Sequence, residues 1–223
     1  SDLYGHFSAF RCIKRQSYRN YEIIIADANS KDKTRLVAKK FGCRIMMGGL
    51  PPVGRNNGAK AAKGEILLFL DSDVQFNNNF LKNVVKELQE KKLDVAGCNI
   101  HPLSYKFTDK IFLGVFNLWA YATQLFYPNA SFGFFCRRSL HEKIKGFDEN
   151  IRLSEDMDYV KRAGKFGKFR VLKAVKIHTS ARRFDEEGRL NVSLKLFLSG
   201  CYRLLFGEIK TDVFKYGFGH KTN

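Results

Sequence analysis

Residues 65–76 read EILLFLDSDVQF, and the reading of this stretch decides the fold. Ile66, Leu67, Leu68, Phe69 and Leu70 run without interruption into two acids, Asp71 and Asp73. An apolar run with no polar alternation is the pattern of a strand buried on both faces, as at the centre of a parallel α/β sheet. Ligands of such sheets sit at the carboxyl ends of the strands. Two carboxylates one residue apart at that end can hold a divalent cation through oxygen, and the cation can neutralise a diphosphate. The same acids also suit a turn that caps the helical pattern beginning at Asn77.

Upstream, residues 21–26, YEIIIA, form a second apolar run that ends at Asp27. Turn residues at 29–34 start a helix predicted to continue to Phe41 and to close at Gly42. A short strand follows at 44–47. Gly48-Gly49-Leu50-Pro51-Pro52 is excluded from regular structure by its glycines and prolines, and 54–62 reads as a helix of small residues. Strand, helix, strand, helix, strand is the signature of crossovers in a parallel sheet. It aligns Asp27, the 48–55 loop and Asp71/Asp73 along one edge, where a nucleotide would sit. Before all this, Leu3, Phe7, Phe10 and Ile13 recur at helical spacing and predict an amphipathic helix.

Downstream, Phe80, Leu81, Val84, Val85 and Leu88 make a helical stripe, and 93–100 returns as a strand. Residues 129–136, NASFGFFC, place small and aromatic residues around Gly133, as suits a segment packed closely against a ligand or against its neighbours. Ser154-Glu155-Asp156 predicts a helix start, with Ser154 as cap and two acids at the positive end. A strand over 169–177 ends at His178. The segment 179–189 reads as a loop carrying Arg182 and Arg183, and 190–206 as a last helix.

Five cysteines, an odd number scattered through apolar segments with no CxxC pair, read as buried thiols in a reducing compartment. The formal charge of +17 implies an anionic partner. No nucleic-acid motif accompanies it, which makes nucleic acid an unlikely partner and leaves phosphorylated small molecules or an anionic membrane surface. Between Arg137 and Arg183, 14 Lys or Arg stand against 6 Asp or Glu. The longest uncharged apolar segment, 111–127, has 17 residues and is short for a bilayer span, so it reads as a buried or interfacial helix.

Four blocks, in order, resemble the family 2 glycosyltransferases: QSYRNYEIIIADANSKDKT at 16–34, RNNGAKAAKGEILLFLDSD at 55–73, GFDENIRLSEDMD at 146–158 and SARRF at 180–184. The resemblance spans most of the chain. It implies the α/β GT-A fold, a Rossmann-like, mostly parallel central sheet flanked by helices. Residues 1–188 would be the transferase domain, and 189–223 a peripheral helix and tail. The family's opening strand, with its Pro-x-x-Asn-Glu turn, is expected to lie before Ser1.

The resemblance further implies a nucleotide-sugar donor, a divalent metal (Mg or Mn) and transfer with inversion. By match, Asp156 would be the catalytic base, with Glu155 and Gly133 on the acceptor side. Asp73 would bind the metal, and Asp71 would approach it or the donor ribose, with His178 a further candidate ligand. Asp27, Arg55, Arg182 and Arg183 would contact the donor. The acceptor would be a surface glycan or a polyprenyl-linked lipid, at the cytoplasmic face of a membrane. The alternative is a non-catalytic module of the same fold that binds a nucleotide sugar or a polyanion.

Overall fold

In the computed structural model the apolar run becomes strand β3 (Ile66–Leu70), and its two faces enter two different clusters. Leu67 and Phe69 pack with Phe134, Phe147, Tyr159 and Val160. Ile66, Leu68 and Leu70 pack against Val84, Leu88, Leu172 and Ile177. A strand with apolar neighbours on both sides has no use for polar alternation, which is why the run is continuous. The structure describes residues 8–31, 33–180, 185 and 188–211.

The chain runs α1 (Ser8–Lys14), β1 (Ile24–Asp27), α2 (Thr34–Lys40), β2 (Arg44–Met47), α3 (Pro51–Ala61), β3, β4 (Val74–Gln75), α4 (Phe80–Glu90) and β5 (Val95–Pro102). Then come α5 (Phe107–Thr123), β6 (Gly133–Arg137), α6 (Arg138–Lys143), α7 (Glu155–Gly164), β7 (Phe169–Thr179) and α8 (Arg189–Phe206). The central sheet has the order β3-β6-β5-β7-β4, while β1 and β2 pair with each other in parallel. The class is the expected α/β sheet flanked by helices, but its pairing is more mixed than the alternation of elements conveys. β6 enters antiparallel between β3 and β5, and only β5 and β7 pair in parallel within the five strands. The carboxyl ends of β3, β5 and β7 consequently open on one edge.

Two local expectations are corrected. Pro51 and Pro52 are not irregular; they form the first turn of α3. Proline lacks an N–H, and first-turn N–H groups have no helical acceptor in any case. Ser154 precedes α7, yet its side chain caps nothing. Its backbone is left-handed instead, at φ 62° and ψ 36°. A non-glycine residue stays there only when its surroundings hold it. The two residues before it are tied to a segment distant in sequence: Arg152 N–H donates to Ile209 C=O at 2.8 Å, and Leu153 bridges to the same residue. Ile209 is itself anchored, because buried Arg203 of α8 donates through Nε to Glu208 at 2.6 Å.

The apolar helix α5 buries Asp109, Leu113 and Ala120 and leaves its opposite face exposed. It is tied to the start of α8 by Arg189, whose Nε donates to Asp109 Oδ1 at 2.7 Å. No helix among the described residues is long and apolar enough to cross a membrane. Leu3 and Phe7 of the predicted opening helix lie outside the described residues; Phe10 is buried in α1.

Candidate active site

Arg55 stands one turn into α3, where the prolines have set the helix axis. From there its guanidinium reaches two carboxylates far away in sequence. Nη2 donates to Asp71 Oδ1 at 3.0 Å, and Nη1 donates to Glu155 Oε1. Asp71 follows β3 directly and Glu155 opens α7, so the fork joins the end of the central strand to the start of the acidic helix. Asp156 is the next residue. One of its oxygens accepts the Met157 N–H at 2.8 Å.

The floor under this cluster is aromatic. Phe147 lies 5.5 Å below the Arg55 guanidinium carbon, and its ring stacks on Tyr159 at 4.3 Å and meets Phe69 edge-on at 5.0 Å. Asn56, the neighbour of Arg55, holds Phe147 by its backbone at both ends: its Nδ2 donates to Phe147 C=O at 3.0 Å, and its Oδ1 accepts Phe147 N–H at 2.9 Å. The helix that positions the arginine thus also positions the ring beneath it.

Burial and acid crowding set the electrostatics. Burial opposes the charge on Arg55, but the carboxylates of Asp71, Glu155 and Asp156 outweigh it and raise its pKa. Burial pushes the Asp156 carboxyl up to about 7, with Glu155 and Asp71 adding to the rise and Arg55 opposing it. A carboxylate that titrates near neutrality is suited to taking a proton and releasing it again.

The other expected residues are more scattered. Asp27 is buried at the end of β1, where both its oxygens accept the Ser30 N–H and Arg35 approaches at 3.6 Å. Asp73 stands just before β4. His178 pairs in register with Gln75 of β4 and with His101 of β5. The two imidazoles lie 5.6 Å apart, and burial, helped by Lys176, lowers the pKa of both, so they are neutral ligands or acceptors at neutral pH. Arg182 and Arg183 lie outside the described residues.

Gly133 serves packing. A Cβ there would come within 2.5 Å of Ile177 Cδ1 and 2.7 Å of Leu70 Cδ2. Gly133→Ala is expected to cost about 1–3 kcal/mol in urea unfolding. Donor binding should be unchanged; a selective loss of acceptor turnover without loss of stability would reverse this assignment.

Carboxylates such as Asp71 and Asp73 are the donors that magnesium and manganese prefer, whereas imidazole better suits softer ions. Among the described residues, no three such side chains are grouped to hold an ion alone. An ion at this edge would have to be completed by diphosphate oxygens and water. Asn56 and His101 were not foreseen as site or near-site residues. The block at 55–73 contains Asn56, but its partner Phe147 is 91 residues away.

A helix-flanked sheet with acids at its strand ends is the architecture of the GT-A glycosyltransferases, and solved structures share it. TarS of S. aureus, residues 1–349, in complex with UDP, superimposes with a TM-score of 0.63 over 88% of this chain and 68% of that one, at 19% identity. The chain belongs to glycosyl transferase family 2, whose family model matches residues 8–146. Curated relatives include the O-antigen chain rhamnosyltransferase WbaN of Salmonella anatum, 24% identical over 168 residues, or 66% of this chain and 52% of that protein. The GalNAc(5)-diNAcBac-PP-undecaprenol beta-1,3-glucosyltransferase of Campylobacter jejuni is 30% identical over 98 residues, 40% of this chain and 32% of that protein. The chain therefore spans about a third to a half of the length of these two relatives.

Proposed function

We propose that this chain transfers a sugar from a nucleotide-diphosphate donor to an acceptor hydroxyl or phosphate, with inversion at the anomeric carbon. The observation that carries the reading is the meeting of Arg55, Asp71, Glu155 and Asp156 at one sheet edge, with the Asp156 carboxyl raised to about 7. Asp156 takes the proton from the acceptor oxygen as that oxygen attacks the anomeric carbon from the face opposite the diphosphate. The carbon–oxygen bond to the diphosphate breaks, and its electron pair leaves with the phosphate. Glu155 acts from the acceptor side by holding Arg55, and Arg55 keeps Asp71 in place at the donor.

Asp73 would hold a divalent metal, magnesium or manganese, with Asp71 approaching the metal or the donor ribose and His178 as a further candidate ligand. When bound, the metal supplies positive charge to the diphosphate. Arg182 and Arg183 attract the departing diphosphate, and Asp27 contacts the nucleoside. Residues 1–188 form the transferring unit, and the helix that follows lies on it or on a membrane surface. The relatives named for an O-antigen chain and for a PP-undecaprenol-linked glycan support a surface-glycan or polyprenyl-linked acceptor. We place the work at the cytoplasmic face of a membrane, where such acceptors are held.

The test is binding and turnover of a panel of UDP-, GDP- and dTDP-sugars with Mn²⁺ or Mg²⁺. Wild type is expected to bind one nucleotide class in a metal-dependent way, and Asp73→Ala to lose that dependence and about tenfold to a hundredfold in affinity. Equal binding by Asp73→Ala, with or without metal, would refute the donor site. Binding without turnover by any acceptor would mark a non-catalytic module.

A further inference from the structure

The exposed face of α5 is a continuous apolar stripe. Ile111, Val115 and Leu118 follow helical spacing, Trp119 lies beside them, and Leu125 and Phe126 extend the surface past the last turn. Their exposures run from 42% for Trp119 to 78% for Phe126. Leu198, Leu205 and Phe206 of α8, the helix tied to α5 by Arg189 and Asp109, are exposed as well. A water-facing helix normally turns its apolar stripe inward; here a buried side already exists at Leu113 and Ala120, and the outward side is apolar too.

We infer that α5, with the adjoining α8, docks in the headgroup region of an anionic lipid bilayer. Charge selects this occupant. Segments 103–127 and 189–211 together hold six Lys or Arg and two acids, Asp109 and Glu208. Both acids are already bound to arginines, at Arg189 and Arg203. Asp185, between the two segments, adds a third acid paired with Lys106 and Arg189, so the region is still net positive, at six cations to three acids, within a chain of net charge +17, and a second copy would bring like charge to it. An anionic surface would not. The aromatic side chains suit the water–lipid boundary: Lys173 lies 4.7 Å over the Tyr121 ring, a cation and a phenol side by side at the margin of the stripe. With no helix long enough to cross, the fit is to lying on the membrane.

Position gives the docking a use. α5 leaves from the carboxyl end of β5, the edge where β3 delivers Asp71, and Leu103, Tyr105 and Phe107, at the connection from β5 to α5, are exposed. An acceptor held at headgroup depth would meet the site from that side. This use rests on the proposed membrane-held acceptor; the docking itself is measured without sugar.

Trp119 is the one tryptophan in the chain, so the unmodified protein reports on its own face. With vesicles of phosphatidylcholine and phosphatidylglycerol, its emission should shift to the blue and be quenched by lipid brominated in the acyl chains. Phosphatidylcholine alone should bind far more weakly. Val115→Gln/Leu118→Gln is expected to weaken vesicle binding about tenfold or more, while still binding nucleotide sugar like wild type, which shows that it is folded. Three outcomes overturn the inference: an unchanged Trp119 spectrum on vesicles, vesicle binding unaffected by the double substitution, or a lipid-free dimer that the substitution dissociates. Docking without sugar transfer would refute the proposed function and leave the membrane face standing.

Discussion

Asp156→Asn is expected to lower kcat by about a hundredfold to ten-thousandfold while leaving donor affinity within a small factor. The amide keeps the shape and removes the proton acceptor, so the loss falls on the chemical step. In wild type, kcat/KM should decline as pH drops below about 7, where the carboxyl takes up its proton. Stability should move the other way. The Asp156 pKa lies above its ordinary value of 3.8, so the folded state binds the proton more tightly than the unfolded chain does. Its contribution is complete below pH 3.8 and is lost as pH rises through about 7. Asparagine resembles the protonated form and escapes that loss. The variant should therefore be more stable than wild type at pH 8, by about 2 kcal/mol, with the difference vanishing toward pH 4. Denaturant midpoints at the two pH values, measured without metal or donor, check the sign. Full transfer activity in Asp156→Asn would remove Asp156 as the base.

Arg55→Met should destabilise the protein by about 3–5 kcal/mol, the usual consequence of removing one partner from a buried ion pair. Methionine can occupy the space above Phe147, so the loss would report the stranded carboxylates of Asp71 and Glu155 more than a cavity. Arg55→Lys should recover only part of it, since a single ammonium cannot serve both acids with the geometry of a fork. Adding Glu155→Gln to Arg55→Met should restore stability, because the second change removes the charge that the first left unpaired. If the two losses simply add in urea unfolding, the arginine is not what holds the two acids together.

Local pattern carried much of this fold. The continuous run at 66–70 became a strand with both faces covered, residues 44–47 became a strand at those bounds, and Gly42 closes α2 with φ 69°. The antiparallel entry of β6 was not legible, because periodicity reports which residues face the core and carries no strand direction. The proline pair was misread for a related reason: its missing N–H groups break a helix interior but suit a first turn. In the site, the acids at 71 and 155–156 were visible as types and as a family pattern, while the fork that joins them spans 100 residues and appears only in three dimensions. Ser154 offered serine's capping chemistry, but its backbone is left-handed and its side chain caps nothing, next to a Leu153–Ile209 bridge that local pattern does not reveal. Gly133 shows the reverse: smallness was noticed, and the neighbours that require it, Leu70 and Ile177, lie on other strands.

The tie between Arg152 and Ile209 has a consequence for the order of events on the ribosome. β3 and Asp71 emerge early, Glu155 and Asp156 follow, and β7 completes the sheet after them; Ile209, which pairs with the segment just ahead of the two acids, comes only after α8 has been made. An emerging chain therefore carries every acid of the cluster before it carries the residue that ties down the segment leading into α7.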